Sequence, residues 1–179
     1  ASALMGTHVF GAPCAPESVE KLGAAAGLPV VFDAAHAIGA TSNERPIGGF
    51  GEAEIFSLTP TKPMVGGEGG LIATRDRDLA ARLRTGRDYG NPGDYDTRFV
   101  GLNARMSEFH AAMALESLAL LDGNLARRRD LATRYIDGLR GVPGIRTQVV
   151  PVEHVSTYKD FTIAVEADEL GIDRNQLVA

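Results

Sequence analysis

Lys62 and Ser57 lie in one short stretch that joins an apolar segment to a glycine-rich turn. Ser57 ends the apolar segment, and Lys62 precedes the turn at 66–70. A loop lysine held in a partly dry site can form a Schiff base with a carbonyl group. The serine hydroxyl could bind a phosphate. The alternatives are an ordinary surface lysine and a serine that only shapes a turn.

Asp33 and His36 follow another apolar run, at 29–32. Open α/β sheets bind ligands at the carboxyl ends of their strands, which is where Asp33 is expected. A buried carboxylate needs a partner to stay ionised, and the protonated ring nitrogen of pyridoxal phosphate is a suitable one. His36 could hydrogen-bond the phenolic oxygen of that cofactor or stack on its ring. A turn aspartate and a structural histidine are the alternatives.

The segments that must position these residues alternate between strand and helix patterns. Short apolar runs predict buried strands, and longer stretches with apolar residues on one face predict helices. This alternation predicts an α/β fold with a mostly parallel sheet and flanking crossover helices. The predicted strands are 4–10, 29–32, 53–58 and 70–74, and the predicted helices are 16–26 and 76–84.

The second half of the chain has a different pattern. Residues 86–102 are rich in glycine, aspartate and tyrosine without a clear period, which is typical of a functional or interfacial loop. We predict a domain change near residue 140. Residues 1–140 would then be part of a large domain, and 141–179 the beginning of a small one. Further helices are predicted from Ser107, over 125–139 after an interruption at 123–124, and over 173–179, with strands at 145–150 and 161–165.

The basic side chains considered in the second half are a group of arginines and one lysine. The arginines of the helix at 125–139 are interpreted as a solvated face; they are Arg127, Arg128, Arg129 and Arg134. Lys159 lies in a polar stretch, 156–161, that leads into a strand. It could contact a substrate, or it could be a surface lysine.

Composition excludes several classes of function. The chain has 179 residues, a formal net charge of −5 and no basic tract, which argues against nucleic acid as the main partner. No apolar run is long enough to cross a membrane. A zinc site is not expected, because Cys14 is the only cysteine and the histidines lack metal-ligand spacing. The single cysteine favours a reducing, cytoplasmic compartment.

Three stretches together resemble a known family. They are FDAAHAIGA at 32–40, FGEAEIFSLTPTKPMVGGEGGLIAT at 50–74 and GLNARMSEFHAAMALESL at 101–118. The sequence is similar to the DegT-type (DegT/StrS) sugar aminotransferases, a branch of the fold type I pyridoxal-phosphate enzymes, over about residues 6–140. The resemblance implies an aspartate-aminotransferase-like large domain and a homodimer whose active sites are shared between subunits.

The resemblance also implies a role for each matching residue. Lys62 matches the Schiff-base lysine, Asp33 the partner of the pyridinium nitrogen, and Ser57 a phosphate-binding serine. His36 falls where family members have glutamine or histidine against the cofactor ring. Asn103 matches an asparagine that reaches the cofactor phosphate of the neighbouring subunit, so the loop before it would cross a dimer interface.

The implied reaction moves an amino group from an amino acid, expected to be glutamate, to a keto sugar, expected to be nucleotide-linked. Two rivals stay open: a sugar dehydratase of the same fold, in which histidine replaces the lysine, and a catalytically silent binding relative. Tyr89 departs from the family, which has histidine at that position. Family members are also considerably longer, so we expect the chain to be a fragment that lacks the N-terminal portion and ends within the small domain.

Overall fold

The structure is a computed structural model that describes residues 1–179. The strands are β1 (Leu4–Thr7), β2 (Val30–Asp33), β3 (Thr41–Ser42), β4 (Arg45–Pro46), β5 (Ala53–Ser57), β6 (Gly70–Ala73), β7 (Ile145–Thr147), β8 (His154–Val155) and β9 (Ile163–Val165). The helices are α1 (Pro16–Ala26), α2 (Arg77–Gly86), α3 (Glu108–Ala119), α4 (Leu121–Leu139), α5 (Ala167–Leu170) and α6 (Arg174–Val178), with a 3₁₀ turn at Val9–Gly11. No helix combines the length and the apolar character that a membrane span requires.

The main sheet has the strand order β1-β2-β5-β6. Its first three strands are parallel, and β6 pairs antiparallel with β5. Strand β1 needs the crossover helix α1 to reach its parallel neighbour β2, whereas β5 and β6 are antiparallel and a loop suffices. That loop carries Lys62. The predicted α/β fold with a mostly parallel sheet is therefore confirmed.

Two apolar clusters hold these elements together. The first surrounds Phe32, Phe50 and Phe56 and packs the segment 34–50 against the sheet, with Val19 of α1 at its margin. The second joins the Lys62 loop, through Leu58, to the helices α3 and α4. Both Phe32 and Leu58 are fully buried, so each of the two strand ends that lead into the candidate site is anchored by a core side chain.

Local capping explains where several helices begin. The Asp76 side chain accepts hydrogen bonds from the N–H groups of Asp78 and Leu79, and Ser107 accepts one from His110. Side-chain oxygens in these positions satisfy N–H groups that have no partner within the helix. The helix predicted from Ser107 is confirmed, and the one predicted at 76–84 extends to Gly86.

The interruption predicted at 123–124 is wrong, because α4 runs through it from Leu121. Glycine and asparagine are poor helix formers, but their intrinsic cost is small. Leu121 and Leu125 are both buried against the second cluster, and this packing on either side of the predicted break outweighs the local preference.

A small sheet of order β4-β3-β8 was not predicted. It pairs Ser42 with His154, so the chain returns to contact β3 between β7 and β9, which pair with each other. The interpretation of the α4 arginines as solvated is wrong for Arg128 and Arg129, which donate hydrogen bonds to backbone carbonyls of this returning segment. The domain boundary near residue 140 stays a prediction.

Candidate active site

Asp33 is the last residue of β2, at the carboxyl edge of the main sheet. It is aligned with Thr7 of β1 and Ile55 of β5. Its Oδ1 accepts the N–H of Ala35 at 3.0 Å, which turns the chain sharply after the strand. Oδ2 takes no hydrogen bond from the protein. The carboxylate is half-buried and thus has one oxygen available to a ligand.

His8 lies beside Asp33 and was not singled out from the sequence as a site residue. Its backbone N–H donates to the Asp33 carbonyl at 3.0 Å, and its ring stacks on the Phe32 ring with 5.3 Å between the centroids. Its Nδ1 accepts the N–H of Cys14, which leaves the ring proton on Nε2. Burial lowers the pKa of His8 to about 4, against the opposing charge of Asp33. His8 is therefore neutral in the folded protein at neutral pH. No sequence signal pointed to His8, because the predicted strand 4–10 places it inside the strand, whereas β1 ends at Thr7.

His36 lies between charged groups of the same edge. Desolvation lowers its pKa, and the positive charges of Lys62 and Lys159 lower it further, while Asp160 and Asp33 act in the opposite direction. Its ring stacks loosely on Phe10, at 6.4 Å between centroids. The structure thus brings Asp33, His36 and Lys62 to one edge of the sheet, as the order of strand ends predicted.

Lys62 follows β5 on the loop that returns to β6. Its N–H donates to the Thr59 carbonyl at 3.0 Å. The side chain is half-buried, and no aspartate or glutamate lies within salt-bridge distance of its ammonium group. Ser57 Oγ lies 3.2 Å from Thr59 Oγ1, so two hydroxyls share the strand end. An unpaired, partly desolvated amine beside paired hydroxyls suits a ligand that has both a carbonyl and a phosphate.

The glycine-rich turn after Lys62 packs directly against α3. Gly67 has a φ of +83°, and a Cβ added there would lie 2.8 Å from the His110 ring. A side chain at this position would be strained and would push the turn off the helix. The glycines therefore fix the loop path that carries Lys62, and they do not form a phosphate loop of their own.

Asn103 is not brought together with the other predicted site residues within the chain. It is exposed and forms an isolated antiparallel bridge with Asp88. Nearby, the Arg105 guanidinium lies 3.4 Å from Asp88 Oδ1 and 5.5 Å from the centre of the Tyr89 ring. Tyr89, which replaces the histidine of the family pattern, is half-exposed at a φ of +58°. No hydrogen bond joins Tyr89 or Asn103 to Lys62.

Comparison with known proteins gives this geometry a family context. The model of the DegT/DnrJ/EryC1/StrS aminotransferase family matches residues 1–179. The chain belongs to this family. Over 170 residues it is 38% identical to the dTDP-3-amino-3,4,6-trideoxy-alpha-D-glucose transaminase of Streptomyces venezuelae. The aligned region covers 94% of this chain and 45% of that relative. The chain thus spans about half the length of the relative that it matches.

Two solved structures extend the comparison. DesV of S. venezuelae in complex with a ketimine intermediate is 36% identical, with a TM-score of 0.90 over 98% of this chain and 46% of that one. The GDP-4-keto-6-deoxy-D-mannose-3-dehydratase of E. coli with bound hydrated PLP is 24% identical, with a TM-score of 0.88 over 99% of this chain and 50% of that one. The second likeness shows the shared fold alone. The predicted fold type I architecture is confirmed.

Proposed function

We propose that this chain carries a large share of the active site of a pyridoxal-phosphate-dependent aminotransferase. The observation that carries the proposal is the half-buried Lys62 without an acidic partner, on the same sheet edge as Asp33 and close enough to His36 to affect its pKa. An unpaired amine and a carboxylate around a neutral imidazole suit a cofactor with an aldehyde at one end and a basic ring nitrogen at the other.

The residues present fit pyridoxal phosphate. The free Oδ2 of Asp33 would hold the protonated ring nitrogen, His36 would lie against the ring, and Ser57 would bind the phosphate. The half-buried position of Asp33 at the strand end gives the ring nitrogen access to a carboxylate in a partly desolvated site. When bound, the cofactor supplies a carbonyl carbon that amines attack and a ring that draws electrons from the amino acid.

Each residue of this edge then has a defined role in the reaction. Lys62 would hold the cofactor through its amine, and the same amine, released when the amino donor binds, would move a proton between the α-carbon of the donor and C4′ of the cofactor. Asp33 keeps the ring nitrogen protonated by offering it a carboxylate oxygen. His36, whose pKa is lowered, would stay neutral beside the ring and so would add no positive charge next to the protonated ring nitrogen.

The amino donor is expected to be glutamate and the acceptor a nucleotide-linked keto sugar. The name of the S. venezuelae transaminase, which includes a dTDP-linked amino sugar, supports this acceptor class. The lysine at position 62 favours an aminotransferase over a dehydratase of the same fold. With Cys14 as the sole cysteine, the proposed compartment is the cytoplasm.

We further propose a homodimer in which Asn103 completes the partner's phosphate site. The exposed position of Asn103, away from the Lys62 edge of its own subunit, supports a role in trans. In this proposal residues 1–140 belong to the cofactor-binding large domain and 141–179 to the small domain.

The test is amino transfer from glutamate to a nucleotide-linked keto sugar, followed as formation of 2-oxoglutarate. Lys62→Ala is expected to lower the rate about 10⁴-fold, because covalent attachment and proton transfer are both lost. Lys21→Ala, which removes an exposed lysine of α1, is the matched control and keeps the wild-type rate. Wild-type turnover by Lys62→Ala would refute the proposed function.

A further inference from the structure

The segment 156–160 crosses the carboxyl edge of the main sheet and is fixed there by its backbone. Thr157 donates its N–H to the Gly11 carbonyl at 3.1 Å and its hydroxyl to the His36 carbonyl at 2.7 Å. Lys159 donates its N–H to the Phe10 carbonyl at 3.0 Å. These contacts join residues far apart in sequence to the turns that follow β1 and β2. The segment is therefore part of the candidate site.

The approach of this segment is unusually close. A Cβ added to Gly11 would lie 1.9 Å from Thr157 Oγ1, so only glycine allows the two chains to meet here. Tyr158 adopts a φ of +46°, a left-handed conformation that costs free energy for a residue with a side chain. Strained backbone of this kind persists only where the surrounding contacts hold it in place.

Two arginines of α4 hold the same segment from the other side. Arg129 Nε donates to the Ser156 carbonyl at 3.1 Å, and Arg128 Nη1 donates to the carbonyls of Tyr158 and Lys159 at 3.3 and 3.2 Å. Both guanidinium groups act on backbone oxygens, so they add positive charge without neutralising an acidic side chain. Arg128 and Arg129 thus bring two positive charges to the segment of Lys159, although the chain as a whole has a net charge of −5.

The hydrogen bonds of the segment 156–160 hold Lys159 at this edge of the sheet. Its side chain is only 14% exposed, and its Nζ lies 3.0 and 3.1 Å from the two oxygens of Asp160, which is 40% exposed. The lysines of this chain are Lys21, Lys62 and Lys159, and the last two both act on His36. The Lys159 ammonium group is thus shielded from water and paired with the carboxylate next to it in sequence. An anion that enters the site can take the place of that carboxylate as its partner.

We propose that Lys159 is a substrate-binding residue that holds an anionic oxygen of a substrate, with Asp160 as the internal carboxylate that this oxygen displaces. The inference rests on the proposed function, which supplies two substrates with such oxygens. One is the carboxylate of the amino donor, and the other is the phosphate of a nucleotide-linked sugar. Both offer the same chemistry to an ammonium group.

The test is equilibrium binding of two unreactive probes to the full chain, with and without pyridoxal phosphate. Glutarate represents the donor carboxylates, and thymidine diphosphate represents the nucleotide phosphates. Lys159→Met is expected to weaken binding of one probe about tenfold, because it removes a charge-assisted hydrogen bond. Lys21→Met, at an exposed lysine, is the matched control and leaves both affinities unchanged.

Asp160→Asn separates the proposal from a folding effect. Removing the internal carboxylate is expected to strengthen binding of the same probe several-fold, and a damaged fold would not produce a gain. Lys159→Arg keeps the charge and is expected to retain most of the affinity.

The outcomes are distinct. Weaker glutarate binding by Lys159→Met assigns Lys159 to the amino donor, and weaker thymidine diphosphate binding assigns it to the acceptor. Equal affinities in wild type and Lys159→Met, or no binding of either probe to the wild type, would overturn the inference. Failure of the proposed function would appear elsewhere, as no covalent attachment of the cofactor to Lys62, and Lys159→Met is expected to leave that attachment intact.

Discussion

The carboxyl edge of the main sheet and the segment 86–103 carry parts of the same proposed site, but they are held in different ways. At the sheet edge, Asp33 follows the fully buried Phe32, and the Lys62 loop starts from the fully buried Leu58. In the segment, Tyr95 is 97% and Val100 98% exposed. The first region is fixed by core packing within one chain, whereas the second is fixed mainly by its own backbone hydrogen bonds.

This difference teaches where a single chain can complete a site. Side chains at the ends of buried strands are positioned by the core behind them, so their arrangement needs no other molecule. Asn103 and its neighbours leave apolar side chains such as Leu102 and Phe109 in water. A surface of this kind gains stability when another surface covers it, which agrees with the proposed role of Asn103 in the partner's site.

The largest expected difference between the two regions is in stability. Leu58→Ala should lower the free energy of unfolding by about 2–5 kcal/mol, because it leaves a cavity beneath the Lys62 loop. The matched change in the exposed segment, Leu102→Ala, should stay within about 0.5 kcal/mol at protein concentrations low enough to keep the chain monomeric. Urea unfolding of both variants measures the contrast. Equal losses at the two positions would show that the segment is packed as tightly as the sheet edge.

The next expected effect is a loss of folding stability in acid, caused by the buried His8. The pKa of His8 is lowered to about 4 in the folded protein from an ordinary 6.5. The unfolded chain therefore binds a proton at His8 before the folded protein does, so stability is full above pH 6.5 and falls as the pH drops towards 4. The expected loss is about 3 kcal/mol.

The measurement for His8 is the free energy of unfolding between pH 7 and pH 4. His8→Asn, which keeps an acceptor for the Cys14 N–H, should reduce the dependence on pH. His110→Asn, at a histidine outside this buried edge, is the control and should retain the wild-type dependence. If His8→Asn is as sensitive to acid as the wild type, the buried edge does not hold His8 neutral.

The smallest expected effect is at Asn103. Asn103→Ala should leave the unfolding free energy unchanged, because the side chain is exposed, and should weaken cofactor binding about tenfold through a lost phosphate contact. Mixing inactive Lys62→Ala subunits with Asn103→Ala subunits tests the contribution in trans. The assay uses a cofactor concentration that loads the wild type but too low to load Asn103→Ala dimers. Random pairing then makes half of the dimers mixed, each with one intact site, so mixing adds about a quarter of the wild-type activity. No gain on mixing would contradict a shared site.

The parts that could be predicted from the sequence are those encoded locally. The four-residue β2 and the helix α1 were found because their apolar residues, Pro16 and Gly27 lie within short windows. Asp33, His36, Ser57 and Lys62 could be ordered along successive strand ends for the same reason. Whether they bind a cofactor stays a prediction, since the position of a side chain at a strand end does not determine which ligand it binds.

The parts that could not be predicted depend on contacts between distant residues. Strands β3 and β8 have two residues each, too few for any periodicity, and their pairing joins Ser42 to His154. Arg127, Arg128 and Arg129 are consecutive in α4 and therefore point in different directions. Arg127 pairs with Asp130, whereas Arg128 and Arg129 contact the segment 156–160. The burial of His8 and Lys159 depends on the return of the segment 154–160 to this edge, so no local sequence pattern predicts it.

The central claim is tested most directly by locating the covalent bond to the cofactor. The protein is loaded with pyridoxal phosphate, reduced with borohydride, digested, and its peptides are mapped by mass. The proposed function predicts a reduced adduct on Lys62 and none on Lys21 or Lys159. An adduct confined to another lysine, or no adduct at all, would contradict it.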